Sequence, residues 1–173
     1  DVHFLESDQT KSVNGLIVLL HGFPELSYSW RKIIPILSNY GYHVIAPDQR
    51  GFGRTKGADI SYTSDLRSYN HDNLSFDINT LVKKLGYKTV KCIIGHDSGS
   101  GVAGFSALTN PDLYENLIMM SAPYSGVSDF SKIEKVNYNP VTDVIDKELA
   151  LLSSPRKHYQ SYYRRKFAND HIM

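Results

Sequence analysis

The side chain best placed for chemistry in this sequence is the carboxylate of Asp97. It lies in the run Gly95-His96-Asp97-Ser98-Gly99, between an apolar, β-branched stretch that predicts a buried strand and a small-residue stretch that predicts a helix. A strand that turns sharply into a helix holds its tip residue in a strained backbone, so the residues two before and two after the tip must be small. Gly95 and Gly99 meet this requirement around Asp97.

Two serines close to Asp97 could serve as the tip residue only in a shifted register. Centring the turn on Ser98 places His96 at a position that requires a small residue, and centring it on Ser100 places Val102 there. A carboxylate at the tip can attack an electrophilic carbon and form an ester, which water then hydrolyses. Taken alone, the five residues fit equally well a buried turn in which Asp97 only caps the helix.

The alternation of apolar segments predicts the elements that position Asp97. Strands are predicted at residues 2–6, 15–20, 42–46, 89–95 and 117–122, with helices at 26–41, 72–85 and from the turn at Asp97 to Asn110. Residues 7–14 are predicted to form a hairpin loop. Strands separated by helices predict an α/β fold with a doubly wound, mostly parallel sheet. Ligands of such sheets bind at the carboxyl ends of the strands, where the loop from His21 to Glu25 would lie.

Three motifs in one order resemble the epoxide hydrolase branch of the α/β-hydrolase superfamily. They are His21-Gly22-Phe23-Pro24-Glu25, Asp48-Gln49-Arg50-Gly51-Phe52-Gly53 and Gly95-His96-Asp97-Ser98-Gly99. The resemblance covers about residues 15 to 125, with a weaker match near residues 157 to 168. Dehalogenases share most of the pattern, so the three motifs are a stronger indication of the fold than of the reaction.

The resemblance implies roles for the residues of the first and third motifs. Asp97 would be the nucleophile, and the backbone N–H groups of Phe23 and Ser98 would form the oxyanion hole. The resemblance assigns supporting roles to four neighbours: His21, Gly22, Pro24 and His96. Asp48 and Arg50 are expected to tie the neighbouring loop through an ion pair and hydrogen bonds.

The domain organisation implied is an α/β-hydrolase core over residues 1–125 and the start of a helical cap, or lid, over residues 126–173. Tyr159-Gln160 resembles the cap Tyr-Gln of epoxide hydrolases, in which the Tyr donates a hydrogen bond to the epoxide oxygen. Packing between cap helices is the alternative role of Tyr159.

Two departures from the family pattern leave other functions open. Ser98 replaces the Trp that usually follows the nucleophile, which predicts a wider, more polar pocket and disfavours a dehalogenase, where that indole helps to hold the halide. The family's water-activating His and its partner acid follow the cap, and none is found here. His158 and His171 do not fit that role, and Asp129 could be an acid in a variant arrangement. A dehalogenase- or esterase-like enzyme that uses the same Asp97, and a non-catalytic binding protein with the hydrolase fold, remain alternatives.

The fifth predicted strand would have an open apolar edge or face in a chain of 173 residues. We therefore predict that residues 1–173 are a fragment of a longer protein, or that a second polypeptide supplies the remaining strands, the acid and the His. The expected partners are a small apolar epoxide-type substrate and this remainder of the hydrolase domain.

Composition disfavours several other classes of protein. A net charge of +1 does not steer the chain toward nucleic acid or anionic membranes, and the apolar runs are far shorter than a membrane span of roughly 20 residues. The single Cys92 fits a reducing compartment, and we expect a cytoplasmic protein. No cofactor is expected, and no metal site either, because the seven histidines are scattered without zinc-site spacing.

Overall fold

The computed structural model describes residues 1–58, 66–122 and 151, and within them five strands form a single sheet. The strands are β1 (Phe4–Glu6), β2 (Leu16–Leu20), β3 (His43–Pro47), β4 (Cys92–His96) and β5 (Leu117–Met120). The α-helices are α1 (Ile33–Asn39), α2 (His71–Lys84) and α3 (Ser98–Thr109), and three short 3₁₀ helices span Gln9–Lys11, Ser27–Lys32 and Leu66–Tyr69. The strand order is β1-β3-β2-β4-β5, and only the β1–β3 pair is antiparallel. The predicted doubly wound, mostly parallel sheet is confirmed.

The chain divides into two units. The first comprises residues 1–58 and 71–125 and contains the whole sheet and all three α-helices described above. The second comprises residues 59–70 and 126–173, of which the described part is 66–70 and Leu151. Residues 126–173, predicted to begin a cap, thus fall almost entirely outside the described residues.

The central strand β2 is buried on both faces, which explains why its sequence is an unbroken apolar run rather than an alternation. Leu16, Val18 and Leu20 join one apolar cluster, which also contains residues of α2 and α3. Ile17 and Leu19 point the other way into a second cluster with Trp30 and Ile34. Helices therefore cover both faces of the sheet.

The predicted hairpin between the first two strands is wrong. β1 pairs with β3, in the register Phe4 to Pro47, and β3 lies between β1 and β2. The two edges of β2 are already taken by β3 and β4 in parallel pairing, so no edge remains for β1. Ser7 anchors the end of β1 to β3 through hydrogen bonds in both directions with the backbone of Val44.

The predicted helix over residues 26–41 is divided into a 3₁₀ helix and the shorter α1. Pro35 has no N–H, so the hydrogen bond to the carbonyl of Arg31 that a continuous α-helix requires cannot form. A 3₁₀ helix has three residues per turn, so the residues predicted to share one face of a single α-helix no longer lie on the same side. Trp30 is therefore buried, while Tyr40 is 71% exposed. The predicted stop at Gly41 is confirmed, with φ at +80°.

The edge strand β5 exposes apolar side chains, as the sequence predicted for the fifth strand. Leu117, Ile118 and Met120 are 40%, 47% and 42% exposed. Across residues 1–58 and 66–122, no helix has the length and apolar character needed to cross a membrane.

Candidate active site

Asp97 occupies the tip of a sharp turn between β4 and α3. Its φ of 51° and ψ of −123° are unusual for a residue with a side chain. A Cβ on Gly95 would run into the backbone carbonyl of Gly99, and a Cβ on Gly99 would lie 2.6 Å from the carbonyl oxygen of Leu20. The prediction that both flanking positions require small residues is confirmed by this packing.

The carboxylate of Asp97 receives backbone donors from two directions. The N–H of Phe23 donates to Oδ1 over 3.0 Å, and the N–H of Ser98 lies at the first position of α3. Hydrogen bonds from the Phe23 and Ser98 N–H groups hold the pKa of the Asp97 carboxyl below its usual value, more than offsetting desolvation. At neutral pH the group is therefore an ionised carboxylate, the form able to attack an electrophile.

The topology explains how Phe23 reaches Asp97 across 74 positions in the chain. β2 and β4 are adjacent parallel strands, although β3 separates them in sequence. Their carboxyl ends lie side by side where the strand order reverses, and this crevice is the usual ligand site of an open α/β sheet. The loop after β2 and the turn after β4 therefore meet.

The two neighbouring serines occupy different environments. Ser100 is completely buried, and its hydroxyl donates to the Gly95 carbonyl over 2.7 Å and accepts from the Met120 N–H over 3.1 Å. It ties α3 to β4 and β5 and is inaccessible to a substrate. Ser98 is exposed at the start of α3, beside the Asp97 carboxylate.

His21 is fully buried and has two defined hydrogen-bond partners. The N–H of Gln49 can only donate, so His21 Nε2 accepts it over 3.0 Å. The proton of the neutral ring is therefore on Nδ1, which donates to the Gly22 carbonyl over 2.9 Å. Burial lowers the pKa of His21 against the opposing effect of that hydrogen bond and of nearby Asp48 and Glu25, which keeps the ring neutral.

The remaining predicted supporting residues surround the same loop. A Cβ on Gly22 would lie 2.6 Å from the Asp97 Cβ, so glycine is needed for the loop to approach the carboxylate. Pro24 follows Phe23 through a cis peptide bond. His96 Nδ1 lies 3.2 Å from an oxygen of Glu25, which also accepts the Gly22 N–H over 3.4 Å. The sequence analysis predicted no role for Glu25. An acidic residue four positions after His21 was the signal from which its contacts with this loop could have been predicted.

Sequence analysis also missed the contacts that Gln49 and Phe52, in the loop after β3, make with the loop after β2. The Gln49 side chain donates to the His21 carbonyl over 2.6 Å, and the Phe52 ring packs edge-on against both His21 and Phe23. Arg50 forms a two-pronged ion pair with Asp77 on α2, with both N to O distances 2.7 Å. No periodicity or spacing in the sequence links residues 49 and 52 to residue 21, because the contacts depend on β3 pairing with β2.

The predicted candidates Tyr159 and Asp129 lie outside the described residues, as do His158 and His171, which did not fit the role of the base. Within residues 1–58 and 66–122, the structure contains no group of three or more His, Cys, Asp or Glu side chains arranged to hold a metal ion.

Several curated relatives of this chain are named epoxide hydrolases. Epoxide hydrolase 3 of Xenopus tropicalis is 40% identical over 123 residues, which are 70% of this chain and 31% of that protein. Epoxide hydrolase B of Mycobacterium tuberculosis is 34% identical over 125 residues, covering 72% of this chain and 33% of the relative. The chain thus spans about a third of the length of the curated relatives it matches.

Solved structures give the same result. A Vigna radiata epoxide hydrolase is 33% identical with a TM-score of 0.63, covering 87% of this chain and 42% of that one. An epoxide hydrolase from an endophytic Streptomyces is 29% identical with a TM-score of 0.67, covering 95% of this chain and 43% of the other.

The family model for the alpha/beta hydrolase fold matches residues 15–170, which is most of the 173-residue chain. It spans the turn at Asp97 and the two strands whose loops meet there. The resemblance inferred from the three motifs is therefore confirmed at the level of the family, and the relatives above are epoxide hydrolases. This chain belongs to the α/β hydrolase fold family.

Proposed function

We propose that this protein is a hydrolase that opens an epoxide to a diol through an ester intermediate on Asp97. The observation that carries the proposal is the ionised Asp97 carboxylate at the tip of the turn, with the Phe23 N–H 3.0 Å from its Oδ1. The names of the relatives support the choice of an epoxide as the electrophile.

In the first step, a carboxylate oxygen of Asp97 attacks the less hindered epoxide carbon, and the bond from that carbon to the epoxide oxygen breaks. The released oxygen takes a proton from a phenol, for which we propose Tyr159. A phenol with a pKa near 10 is a neutral donor at physiological pH. The product of this step is a hydroxyalkyl ester of Asp97.

In the second step, water attacks the carbonyl carbon of the ester, and negative charge develops on the other oxygen of the former carboxylate. The N–H groups of Phe23 and Ser98 are the proposed donors to this oxyanion. Removal of one such donor costs roughly 3–4 kcal/mol of transition-state stabilisation. The base takes a proton from the attacking water and gives it to the alkyl oxygen as the bond from that oxygen to the acyl carbon breaks, which releases the diol. The proton left on the Asp97 carboxyl group returns to the Tyr159 phenolate, so both the carboxylate and the phenol are regenerated.

The proposal requires parts beyond the described residues. Residues 1–125 would be the hydrolase core and residues 126–173 the start of the cap that carries Tyr159. The His and acid that activate the water would come from the remainder of the hydrolase domain, in the same or a second polypeptide. The second function supported by an observation is non-catalytic binding, because Ser98 stands where the resemblance predicts Trp.

The test of Asp97 is a single turnover in ¹⁸O-labelled water with enzyme in excess over styrene oxide. The first diol should carry oxygen from the Asp97 carboxylate and be unlabelled, and intact-protein mass spectrometry should detect the ester. Label in the first turnover would indicate direct attack by water and refute the ester mechanism. Binding of the epoxide without ester or diol would favour the non-catalytic function.

The test of Tyr159 is the variant Tyr159→Phe, with Tyr162→Phe as the matched control in the same segment. Loss of the phenol proton should slow ester formation by roughly 10²-fold, the lower end for general acid catalysis, and leave ester hydrolysis nearly unchanged. Ester formation at the parent rate would assign Tyr159 to packing.

A further inference from the structure

The peptide unit between Gly22 and Phe23 is held at both ends. Its carbonyl oxygen accepts a hydrogen bond from His21 Nδ1 over 2.9 Å, and its N–H donates to Asp97 Oδ1 over 3.0 Å. Carbonyl and N–H lie in one rigid plane. Any rotation of the plane that weakens one of the two hydrogen bonds also moves the other.

The His21 ring is in turn held by one residue of the neighbouring loop. The Gln49 N–H donates to His21 Nε2 over 3.0 Å, and the Gln49 side-chain amide donates to the His21 carbonyl over 2.6 Å. Both residues are buried, with His21 fully enclosed and Gln49 7% exposed. The Phe52 ring closes the remaining side, with its centroid 5.0 Å from that of His21.

We propose that Gln49 is a positioning residue that aims the Phe23 N–H at Asp97. Its backbone N–H fixes His21 in the Nδ1–H tautomer, and its side-chain amide holds the His21 carbonyl. The functional consequence rests on the proposed epoxide chemistry, whereas the tautomer and the hydrogen bonds do not. Gln49 acts through His21, which it holds at the ring and at the backbone carbonyl.

The alternative tautomer cannot make the same hydrogen bonds. A proton on Nε2 would face the Gln49 N–H, donor against donor, and Nδ1 would then present a lone pair to the Gly22 carbonyl, acceptor against acceptor. The observed tautomer satisfies all four groups. A donor on the Gly22 carbonyl also polarises that peptide and strengthens its N–H as a donor to Asp97.

The first test is the tautomer itself, read from the ¹⁵N resonances of the His21 ring at pH 7 in the full polypeptide that contains residues 1–173. The proposal expects a neutral ring with the proton on Nδ1. A ring protonated on Nε2, alone or together with Nδ1, would overturn it. This measurement needs no substrate, so it stands even if no epoxide reacts.

The second test uses Gln49→Met, which keeps the length of the side chain and removes its donor. The matched control is Gln9→Met. The Gln9 amide is exposed and donates to Tyr87 Oη over 3.5 Å, so this variant also removes a Gln donor but away from His21. In Gln49→Met the backbone N–H of residue 49 still donates to the His21 ring, so the ring should keep its single tautomer, whereas the hydrogen bond to the His21 carbonyl is lost. Hydrolysis of the Asp97 ester formed from styrene oxide should slow by about tenfold, with ester formation changed much less, because the oxyanion develops in the second step. Ester hydrolysis at the parent rate in Gln49→Met would refute the role of the Gln49 side chain.

The third test places the effect on the His21 ring. His21→Leu should slow ester hydrolysis by about 10²-fold through a misaimed donor. His21→Asn, whose amide N–H₂ occupies the position of Nδ1, should recover most of that loss. Equal rates for the two variants would show that His21 acts by bulk alone. If the parent protein forms no ester with styrene oxide, the proposed function fails while the ring tautomer still decides the role of Gln49.

Discussion

Asp48 and Asp97 both follow the carboxyl ends of strands of the same sheet, but they differ in burial and in hydrogen-bond partners. Asp48 follows β3 and is 2% exposed, whereas Asp97 follows β4 and is partly exposed. The Asp48 carboxylate accepts the N–H of Ser27 over 2.9 Å, the N–H of Arg54 over 3.0 Å and the ring of His3 over 3.0 Å.

Both carboxyl groups have a lowered pKa, but the effects of burial and of hydrogen bonding differ between the two sites. Burial alone would raise the pKa of Asp48, and hydrogen bonds from Arg54 and Ser27, with the nearby His3, outweigh it. At Asp97, hydrogen bonds from the Phe23 and Ser98 N–H groups lower the pKa with little burial to oppose them. A lowered pKa therefore does not by itself distinguish a carboxylate that holds loops together from one that can attack. Access and backbone strain at the tip make that distinction.

Replacing each carboxylate by an amide should give the largest difference between the proposed nucleophile, Asp97, and the structural residue, Asp48. Asp97→Asn should reduce ester formation on the order of 10⁴-fold or more, as for removal of a covalent nucleophile, with little change in unfolding free energy. Asp48→Asn should destabilise the fold by about 2–4 kcal/mol, because an amide cannot accept all three donors. Ester formation by mass spectrometry and urea unfolding measure the two effects.

A glycine packs against each aspartate, and substitution there should give a smaller version of the same contrast. A Cβ on Gly22 would press on Asp97, and a Cβ on Gly53 would collide with the Asp48 carboxylate at a φ of +53°. Gly22→Ala should slow ester formation by about 10²-fold through displacement of the nucleophile. Gly53→Ala should lower the unfolding free energy by about 1–3 kcal/mol and change activity per folded molecule much less. Similar profiles for the two variants would contradict the division of roles.

The pH dependence of stability should distinguish His21 from both aspartates, and this is the smallest of the predicted effects. Burial lowers the pKa of His21, so the unfolded chain binds a proton that the folded protein excludes. Stability should therefore fall as pH drops below about 6.5, by at most about 1.4 kcal/mol per pH unit for one histidine. The lowered pKa of each aspartate gives stability that is lost only below about pH 4.

The measurement is unfolding free energy from pH 8 to pH 4 for the parent and for His21→Asn. The variant should lose part of the slope between pH 6.5 and 5. His71, whose pKa burial also lowers, contributes the same sign, so His71→Asn is the matched control. An unchanged slope in His21→Asn would show that His21 is charged in the fold or exposed to water.

Sequence reasoning located the strands well because each buried strand is a short, β-branched apolar run bounded by Gly, Pro or polar residues. β2, β4 and the turn at Asp97 were predicted on that basis. The partner of β1 was predicted wrongly. A local sequence pattern indicates that a segment is a strand, but it does not indicate which other strand has an edge available for pairing. Pro35 is a local signal in the sequence for the short α1, because it lacks the N–H that a continuous helix needs.

The sequence by itself determined the sharp turn with Asp97 at its tip, because glycines two residues on either side of Asp97 satisfy a steric requirement that acts over five consecutive residues. The tertiary structure alone decided what surrounds that tip. Phe23, His21 and Gln49 come from loops after two other strands, and only the order β3-β2-β4 places those loops together. Strand order depends on long-range pairing and on the packing of helices on both faces, which no local pattern records.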